Sequence, residues 1–371
     1  MIEFIPLEYY YEVYLYSGVF LILLTLLHAR ILSINDQKNL KYINTTGYVL
    51  LVVLTVYMGL RPVSGRYFTD MDTYARLYEG YARGGEIILE TDVFFQQFMK
   101  FCSQFLSTNF FFLLCDILYI VPLFIVSKRF FKQYWFYAFV MFVFSFQFWT
   151  YGTNGIRNGM ATSFFLLAIS YHDRRSLMIF WFVLSALFHK TMLLPIFAYV
   201  FTIFYNKPKT YLYVWLLAIP LSITMGGFWE NLFASMGFAD DRLSGYLTGD
   251  KDELITNTGF RYDFVLYSAS AVFTGWYFIF KKKFNDTLYY RIFNIYLTAN
   301  AFWILIIRAN FSNRFAYLSW FMMALVIIYP FLKKRFFYNT HWQVGKTVLY
   351  YFIFTFLMFV YYSLFKKIPQ T

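Results

Sequence analysis

Apolar runs alternate with short polar stretches along the whole chain of 371 residues. Many of these runs hold about 18 to 22 residues, which is enough for an α-helix to cross roughly 30 Å of hydrocarbon. Because helices satisfy their own backbone hydrogen bonds in lipid, the pattern predicts an all-α polytopic membrane protein with a single transmembrane domain over residues 1–371. Twelve spans are predicted, at 13–32, 44–60, 109–127, 133–151, 155–171, 176–189, 191–205, 210–226, 261–280, 287–307, 312–332 and 345–365.

Two connecting segments, 61–92 and 227–260, are much longer than the others. Long segments without a helix or strand pattern are usually functional or disordered, so these two are predicted to be loops that cap one face of the protein. Over residues 92–107, phenylalanines recur at i, i+3 and i+4 spacing. That spacing predicts an amphipathic helix lying along the membrane interface.

Charge predicts which side of the membrane each loop faces. The short loops on one side hold 18 lysines and arginines and three acidic residues, whereas the other side holds 14 cations and 16 of the 20 carboxylates. Short cytoplasmic loops are rich in lysine and arginine, so the first set is predicted to be cytoplasmic and both long loops external. This uneven distribution explains the net charge of +12 without a nucleic-acid partner.

Composition supports the membrane interpretation and limits the chemistry. The chain is 60% hydrophobic and 14% charged, whereas soluble proteins carry about 25% charged residues. Its only cysteines, Cys102 and Cys115, lie in apolar helical segments, which favours two buried thiols over a disulfide. No cluster of cysteine and histidine has metal-ligand spacing, so we expect neither a metal nor another cofactor.

Arg157 is the first candidate for function, at the start of the predicted span 155–171. Gly155, Gly159 and Ser163 form a ridge of small residues that lets a neighbouring helix approach closely, and Arg157 lies on the opposite face. A helix that is packed on one side and cationic on the other is expected to line water or substrate. The alternative is an interfacial arginine whose charge reaches the lipid headgroups.

His189 and Asp116 are the next candidates. His189 is the only one of the four histidines on the predicted outer face, which it shares with Arg157. A neutral imidazole could accept a proton and an imidazolium could bind phosphate, while the alternative is a satisfied polar residue. Asp116 lies within a predicted span, where it either pairs with an arginine or lines a pocket.

Two further groups of candidates lie on the predicted outer face. Arg308 and Arg314 flank a short turn at a helix start, where two guanidinium groups suit a phosphate clamp or, alternatively, lipid headgroups. The first long loop combines carboxylates with arginines and tyrosines, which suits sugar hydroxyls and acid–base chemistry as well as an ordinary solvated loop. Its candidate residues are Arg61, Arg66, Asp70, Asp72 and Tyr74.

Three short segments of this chain resemble the Wzy/EpsG family of bacterial polysaccharide polymerases. The first is FTDMDTY at 68–74, and the second begins with GIRNGMA at 155–161 and runs to LFHKTM at 187–192. The third is NRFAY at 313–317. The family often has Arg-Gln where this chain has Arg157-Asn158, and a small residue where it has Lys190.

The resemblance implies a polyprenol-phosphate-dependent (C-type) glycosyltransferase in the bacterial inner membrane, with its active site facing outward. The enzyme would transfer a glycan from undecaprenyl pyrophosphate to another lipid-linked repeat unit. Arginines would stabilise the pyrophosphate leaving group, and His189 or Asp72 would be the base. The implied arginines are Arg157 and Arg314, with Arg308 assisting, and Asn158 and Tyr317 would join the substrate-binding residues.

Partners and alternative functions stay open at this point. The expected partners are the lipid-linked oligosaccharide and the bilayer, together with a flippase and a chain-length regulator. The main alternative is that the chain is itself a flippase or transporter of lipid-linked oligosaccharide. An O-antigen ligase would use the same donor, and a membrane O-acetyltransferase would use arginine and histidine at the cytoplasmic face.

Overall fold

The computed structural model of this chain describes residues 2–87, 92–235, 259–309 and 312–365. The regular secondary structure of these residues is helical, which confirms the predicted all-α class. Most of the predicted outer loop 227–260 lies outside the described residues, as does the centre of the turn between Arg308 and Arg314.

The chain packs as two compact units, which are described separately: Met1–Lys190 with Phe331–Thr371, and Thr191–Pro330. In chain order the helices that precede the second unit are α1 (Tyr10–Ile31), α2 (Gln37–Gly59), α3 (Thr69–Ala82), α4 (Val93–Cys102), α5 (Thr108–Phe131), α6 (Trp135–Val143), α7 (Phe148–Thr153), α8 (Ile156–Ser170) and α9 (Arg175–Phe188). The helices that follow are α10 (Leu193–Phe204), α11 (Pro208–Ser235), α12 (Tyr262–Trp276), α13 (Thr287–Leu305), α14 (Ser312–Trp320), α15 (Met323–Lys333) and α16 (Thr340–Phe365).

Seven segments of the described chain are helical, long and apolar enough to cross a membrane. Two shorter apolar helices, Arg175–Phe188 and Lys190–Phe204, lie between them in the chain. The protein is therefore a polytopic helical membrane protein, while the count of twelve spans stays a prediction. The seven segments are Leu7–Ile31, Gln37–Gly59, Thr108–Val143, Pro208–Phe233, Tyr262–Lys281, Arg314–Lys333 and Thr340–Tyr361.

The prediction of one continuous helix over 133–151 is wrong. The structure has two short helices there, α6 and α7. The first ends where the Ser145 hydroxyl donates to the Phe142 carbonyl. A serine side chain that bonds its own backbone competes with the helical ladder, which explains the interruption within an apolar run.

The first long loop, 61–92, is also not the structureless segment that was predicted, because it contains α3. The buried residues of α3 are Met71, Tyr74, Ala75, Tyr78 and Tyr81, which recur at helical spacing. This periodicity is visible in the sequence, but the charged residues between its members obscure it. The helix that follows, α4, is shorter than the predicted 92–107 and buries Phe95, Met99 and Cys102.

Helix α8 lies at the centre of the first unit, where it packs against α5 and α9. Every residue of α8 except Arg157 is buried. The two cysteines are free and buried, as predicted. Arg157 is therefore the one residue of this helix whose side chain stays partly accessible.

Candidate functional site

Helices α8 and α9 form a hairpin whose register brings two of the predicted residues together. The Ser185 hydroxyl of α9 donates to the Ala161 carbonyl of α8 at 2.6 Å. About one helical turn leads back from Ala161 to Arg157, and one turn leads forward from Ser185 to His189. Because the two helices run in opposite directions, Arg157 and His189 meet at the same end of the hairpin.

The ridge of small residues on α8 packs as predicted. A Cβ atom on Gly159 would lie 2.5 Å from the Tyr151 carbonyl oxygen, so only glycine fits there. The Ser163 hydroxyl donates to the Tyr119 carbonyl of α5 at 2.7 Å. Close packing on this side of α8 fixes the helix and directs Arg157 to the other side, towards α3 and α4.

The Arg157 guanidinium is bound by one residue of α3 and by one residue directly before α4. Its Nη1 pairs with Oδ2 of Asp92, which directly precedes α4, and its Nε donates to the Tyr74 hydroxyl of α3 at 2.9 Å. The guanidinium also lies over the ring of Phe95, 5.9 Å from the centroid. About a fifth of the Arg157 side chain stays accessible, at 22%, so the charge is oriented but not sealed off.

Asp92 joins the two sequence-predicted residues into one cluster. Its Oδ1 lies 3.8 Å from Nδ1 of His189, and its Oδ2 pairs with Arg157. The carboxylate is buried, and its backbone has φ of 51°, a left-handed conformation that aspartate tolerates better than most residues. We call Tyr74, Asp92, Arg157 and His189 the arginine–carboxylate cluster.

The charges of the cluster stabilise the ionised form of Asp92. Burial by itself raises the pKa of this carboxyl group, but His189, Arg157 and Lys190 together outweigh burial and hold the pKa below its usual range. The pKa of Tyr74 is raised, chiefly by burial and also by the carboxylates of Asp70 and Asp92. The cluster thus combines a lasting negative charge with a guanidinium and an imidazole.

The candidates from the first long loop differ in their placement. Asp70 lies near enough to Tyr74 to raise the pKa of its hydroxyl. Asp72 is about half exposed and pairs with Arg76 on its own helix at 3.1 Å. Arg66 is exposed and lies over the ring of its neighbour Tyr67, 5.5 Å from the centroid. Among the described residues, Tyr74 is the one loop candidate that accepts a hydrogen bond from Arg157.

Arg61, another candidate from the first long loop, forms a buried ion pair. Its side chain is completely buried and its Nη1 donates to Oδ2 of Asp116 at 2.6 Å. Its Nη2 donates to the carbonyls of Gly152 and Thr153, both at 3.2 Å. The pairing of Asp116 with an arginine, one of the two alternatives left open, is therefore what the structure contains, and Arg61 stabilises the packing of α5 against α7.

We expect Asp116→Ala to lower the free energy of unfolding by roughly 3–5 kcal/mol, because it leaves the Arg61 charge buried without its partner. Thermal unfolding of the purified protein in detergent measures the effect. Asp173→Asn is the control, since Asp173 is about half exposed and pairs with Arg129 at 2.8 Å; an exposed ion pair contributes little, so this variant should unfold at nearly the wild-type temperature. Equal losses of stability in the two variants would contradict the structural role of the buried pair.

Four other predicted residues lie outside the arginine–carboxylate cluster as defined. Asn158 is buried on α8, and its Oδ1 has no hydrogen-bond partner in the described chain. In the second unit, Arg308 Nη2 donates to the Ile223 carbonyl at 3.1 Å, next to the kink in α11 at Met225. Arg314 is exposed at the start of α14, and Tyr317 is buried beside Phe321.

Sequence reasoning missed Asp92 as a candidate. It is one of 20 carboxylates and ends a predicted loop, so no local spacing separates it from its neighbours. The signal available in the sequence was its position at the start of the predicted amphipathic helix 92–107. Among the described residues no group of three or more histidine, cysteine, aspartate or glutamate side chains could hold a metal ion, and metal independence stays a prediction.

The fold and the cluster define a class: a polytopic helical membrane protein in which an arginine and a histidine at one end of a helical hairpin share a buried carboxylate. A family model matches residues 46–370, and the chain belongs to the EpsG family. This confirms the resemblance inferred from the three short segments. Family membership supports a polysaccharide polymerase-like, glycosyltransferase-like function in general. No curated protein and no solved structure matches the chain.

Proposed function

We propose that this protein joins oligosaccharide repeat units, carried on undecaprenyl pyrophosphate, into a surface polysaccharide at the outer face of the bacterial inner membrane. The observation that carries the proposal is the arginine–carboxylate cluster, in which a guanidinium and an imidazole face one buried carboxylate. Membership of the EpsG family supports the same reaction class. Such a site combines a group for a developing anion with a group that can accept a proton.

The proposed reaction is a glycosyl transfer between two lipid-linked glycans. A hydroxyl oxygen of the acceptor sugar forms a bond to the anomeric carbon of the donor glycan. The bond between that carbon and the pyrophosphate oxygen breaks, and its electron pair leaves with undecaprenyl pyrophosphate. The hydroxyl proton passes to a base on the protein. No metal or other cofactor is needed to balance these steps.

Arg157 is the proposed electrostatic group. Its Nε and Nη1 are bound by Tyr74 and Asp92, while Nη2 has no protein acceptor in the described chain. Two protein groups orient the guanidinium, and its Nη2 can still donate hydrogen bonds to a pyrophosphate oxygen. The accessible fifth of its side chain gives a ligand a route to these donors.

His189 is the proposed base, in preference to Asp72. The imidazole lies beside Asp92 and at the same end of the hairpin as Arg157, whereas Asp72 is about half exposed and pairs with Arg76 on its own helix. The base is expected to lie near Arg157, because the acceptor hydroxyl that it deprotonates attacks the same anomeric carbon from which the pyrophosphate leaves. The contributions of Arg308, Arg314 and Tyr317 to donor binding are proposals that rest on the family resemblance, and single substitutions test each one.

The deciding experiment supplies the purified protein with one synthetic undecaprenyl-pyrophosphate repeat unit and resolves the products on a gel. A ladder of lengths that increase by one repeat unit is the expected result. The same substrate in proteoliposomes tests the main alternative, because a flippase would move it across the bilayer unchanged. Transfer to lipid A core without a ladder would indicate an O-antigen ligase instead.

The proposed orientation predicts which engineered cysteines react from outside. In the variant Cys102→Ser/Cys115→Ser, a cysteine at Ser64 should react with an impermeant thiol reagent in intact spheroplasts, while one at Asn285 should not. The reason is the excess of lysine and arginine in the loops on the side of residue 285. Lysed cells provide the control for accessibility of both positions. Labelling at residue 285 alone in intact spheroplasts would reverse the orientation and remove the outward-facing site.

A further inference from the structure

We propose that Asp92 is a positioning residue that keeps His189 protonated on Nδ1, so that Nε2 is the nitrogen that accepts the proton. This inference rests on the proposed function, because it names the group behind the proposed base. Nothing in the family resemblance pointed to Asp92, and its role follows from its place between Arg157 and His189.

The surroundings of Nδ1 decide the tautomer. Nδ1 of His189 is buried and has no hydrogen-bond partner within bonding distance among the described residues, and it faces Asp92 Oδ1 at 3.8 Å. An ionised carboxylate can only accept hydrogen bonds, so the ring lowers its energy by placing its proton on Nδ1. Catalytic hydrogen bonds are often long in the absence of substrate and shorten when it binds.

The other ring nitrogen is then available to substrate. About a quarter of the His189 side chain is exposed, at 24%. Because Nδ1 itself is buried, the exposed surface belongs to the rest of the side chain, where Nε2 is the only other polar atom. A neutral imidazole with its proton on Nδ1 has its lone pair on Nε2, which is the arrangement that a general base requires.

The position of Asp92 is itself held from several directions. Oδ2 pairs with Arg157, whose Nε is fixed by the Tyr74 hydroxyl. The carboxylate is buried at 8% exposure, and Lys190 adds a further favourable charge. These contacts hold the carboxylate between Arg157 and His189, so Asp92 is expected to keep this position during turnover.

Asp92→Asn separates the two contacts of this carboxylate, because the new amide has one acceptor and one donor. The guanidinium of Arg157 can only donate, so the amide oxygen must face Arg157. The amide nitrogen then faces Nδ1 of His189 and donates to it, which moves the ring proton to Nε2 and removes the acceptor. We expect kcat to fall by about 10²-fold or more, with KM for the lipid-linked donor nearly unchanged.

Asp92→Ala provides the contrast. It removes the partner of Arg157 as well as that of His189, so KM for the donor should rise in addition to the fall in kcat. Asp263→Asn is the matched control, since Asp263 is about half exposed and pairs with Arg261 at 2.7 Å in the second unit. That variant should polymerise like the wild type.

A double-mutant cycle between Asp92→Asn and His189→Gln gives the decisive measurement. If Asp92 acts through His189, the double variant should have nearly the same kcat as His189→Gln alone. Losses that multiply, or a rise in KM without a fall in kcat for Asp92→Asn, would overturn this inference while the proposed polymerase activity stands. Absence of a ladder with the wild-type protein would overturn the proposed function, and the role of Asp92 with it.

Discussion

Arg157→Lys is expected to lose polymer formation almost as completely as Arg157→Ala, by about 10²-fold or more in kcat. The guanidinium uses separate donors for Tyr74 and Asp92 and keeps Nη2 for a ligand. An ammonium group is a point charge on a flexible stem, so it cannot keep both protein contacts and present a planar fork to pyrophosphate. The measurement is the initial rate of ladder formation by purified protein, with donor binding followed separately.

The control for this substitution is Arg175→Lys, which changes an exposed arginine at the opposite end of the same hairpin. It should leave the rate unchanged. Thermal unfolding of each variant is measured alongside, because Arg157 lies in a packed setting and its loss could also affect stability. A normal ladder from a folded Arg157→Lys protein would reduce Arg157 to a general cation and remove the pyrophosphate argument.

His189→Gln is expected to lose turnover by about 10²- to 10⁴-fold, the usual contribution of a general base, while donor binding is retained. Glutamine can fill the space beside Asp92 and donate a hydrogen bond, but its amide group cannot act as a base near neutral pH. His172→Gln, at the other end of the hairpin, is the matched control, because His172 is exposed. If His189 instead bound phosphate as an imidazolium, His189→Lys or His189→Arg should keep part of the polymerase activity.

The pH profile of the wild-type enzyme should have an acidic limb that His189→Gln lacks, because a protonated imidazole cannot accept a proton. Burial raises the pKa of Asp92, but His189 and Arg157 outweigh burial and hold it below its usual range. Because its pKa lies below that of an ordinary carboxyl group, Asp92 stays ionised near neutral pH, and its charge does not account for this limb. An identical limb in His189→Gln would show that another group is the base.

The nearness of Arg157 to His189 was foreseeable from the sequence, because Arg157 lies at the start of one apolar helix and His189 at the end of the next. Two consecutive helices joined by a short turn must run antiparallel, and this places the start of α8 beside the end of α9. The ridge of small residues was foreseeable for a similar reason, since its spacing of four lies within one helix. Both inferences depend on local periodicity, which a single sequence contains.

Other features could not be assigned in this way. The break between α6 and α7 depends on a single serine within an apolar run, and apolar runs of that length usually continue as one helix. Helix α3 was hidden because its buried tyrosines alternate with charged residues. The burial of Arg61 depends on Asp116, which lies 55 residues further along the chain, and no local pattern distinguishes it from the exposed Arg66.

By itself, the sequence determined the membrane class, the small-residue ridge and the family, because each follows from composition, helical periodicity or short motifs. Only the tertiary structure decided which carboxylate meets Arg157. Asp92 and Arg157 are 65 residues apart in the chain, and Tyr74 and Arg157 are 83 residues apart. Such contacts arise from how α3 and α4 pack on the α8–α9 hairpin, and packing is set by the combined shape and burial of many side chains rather than by any spacing along the chain.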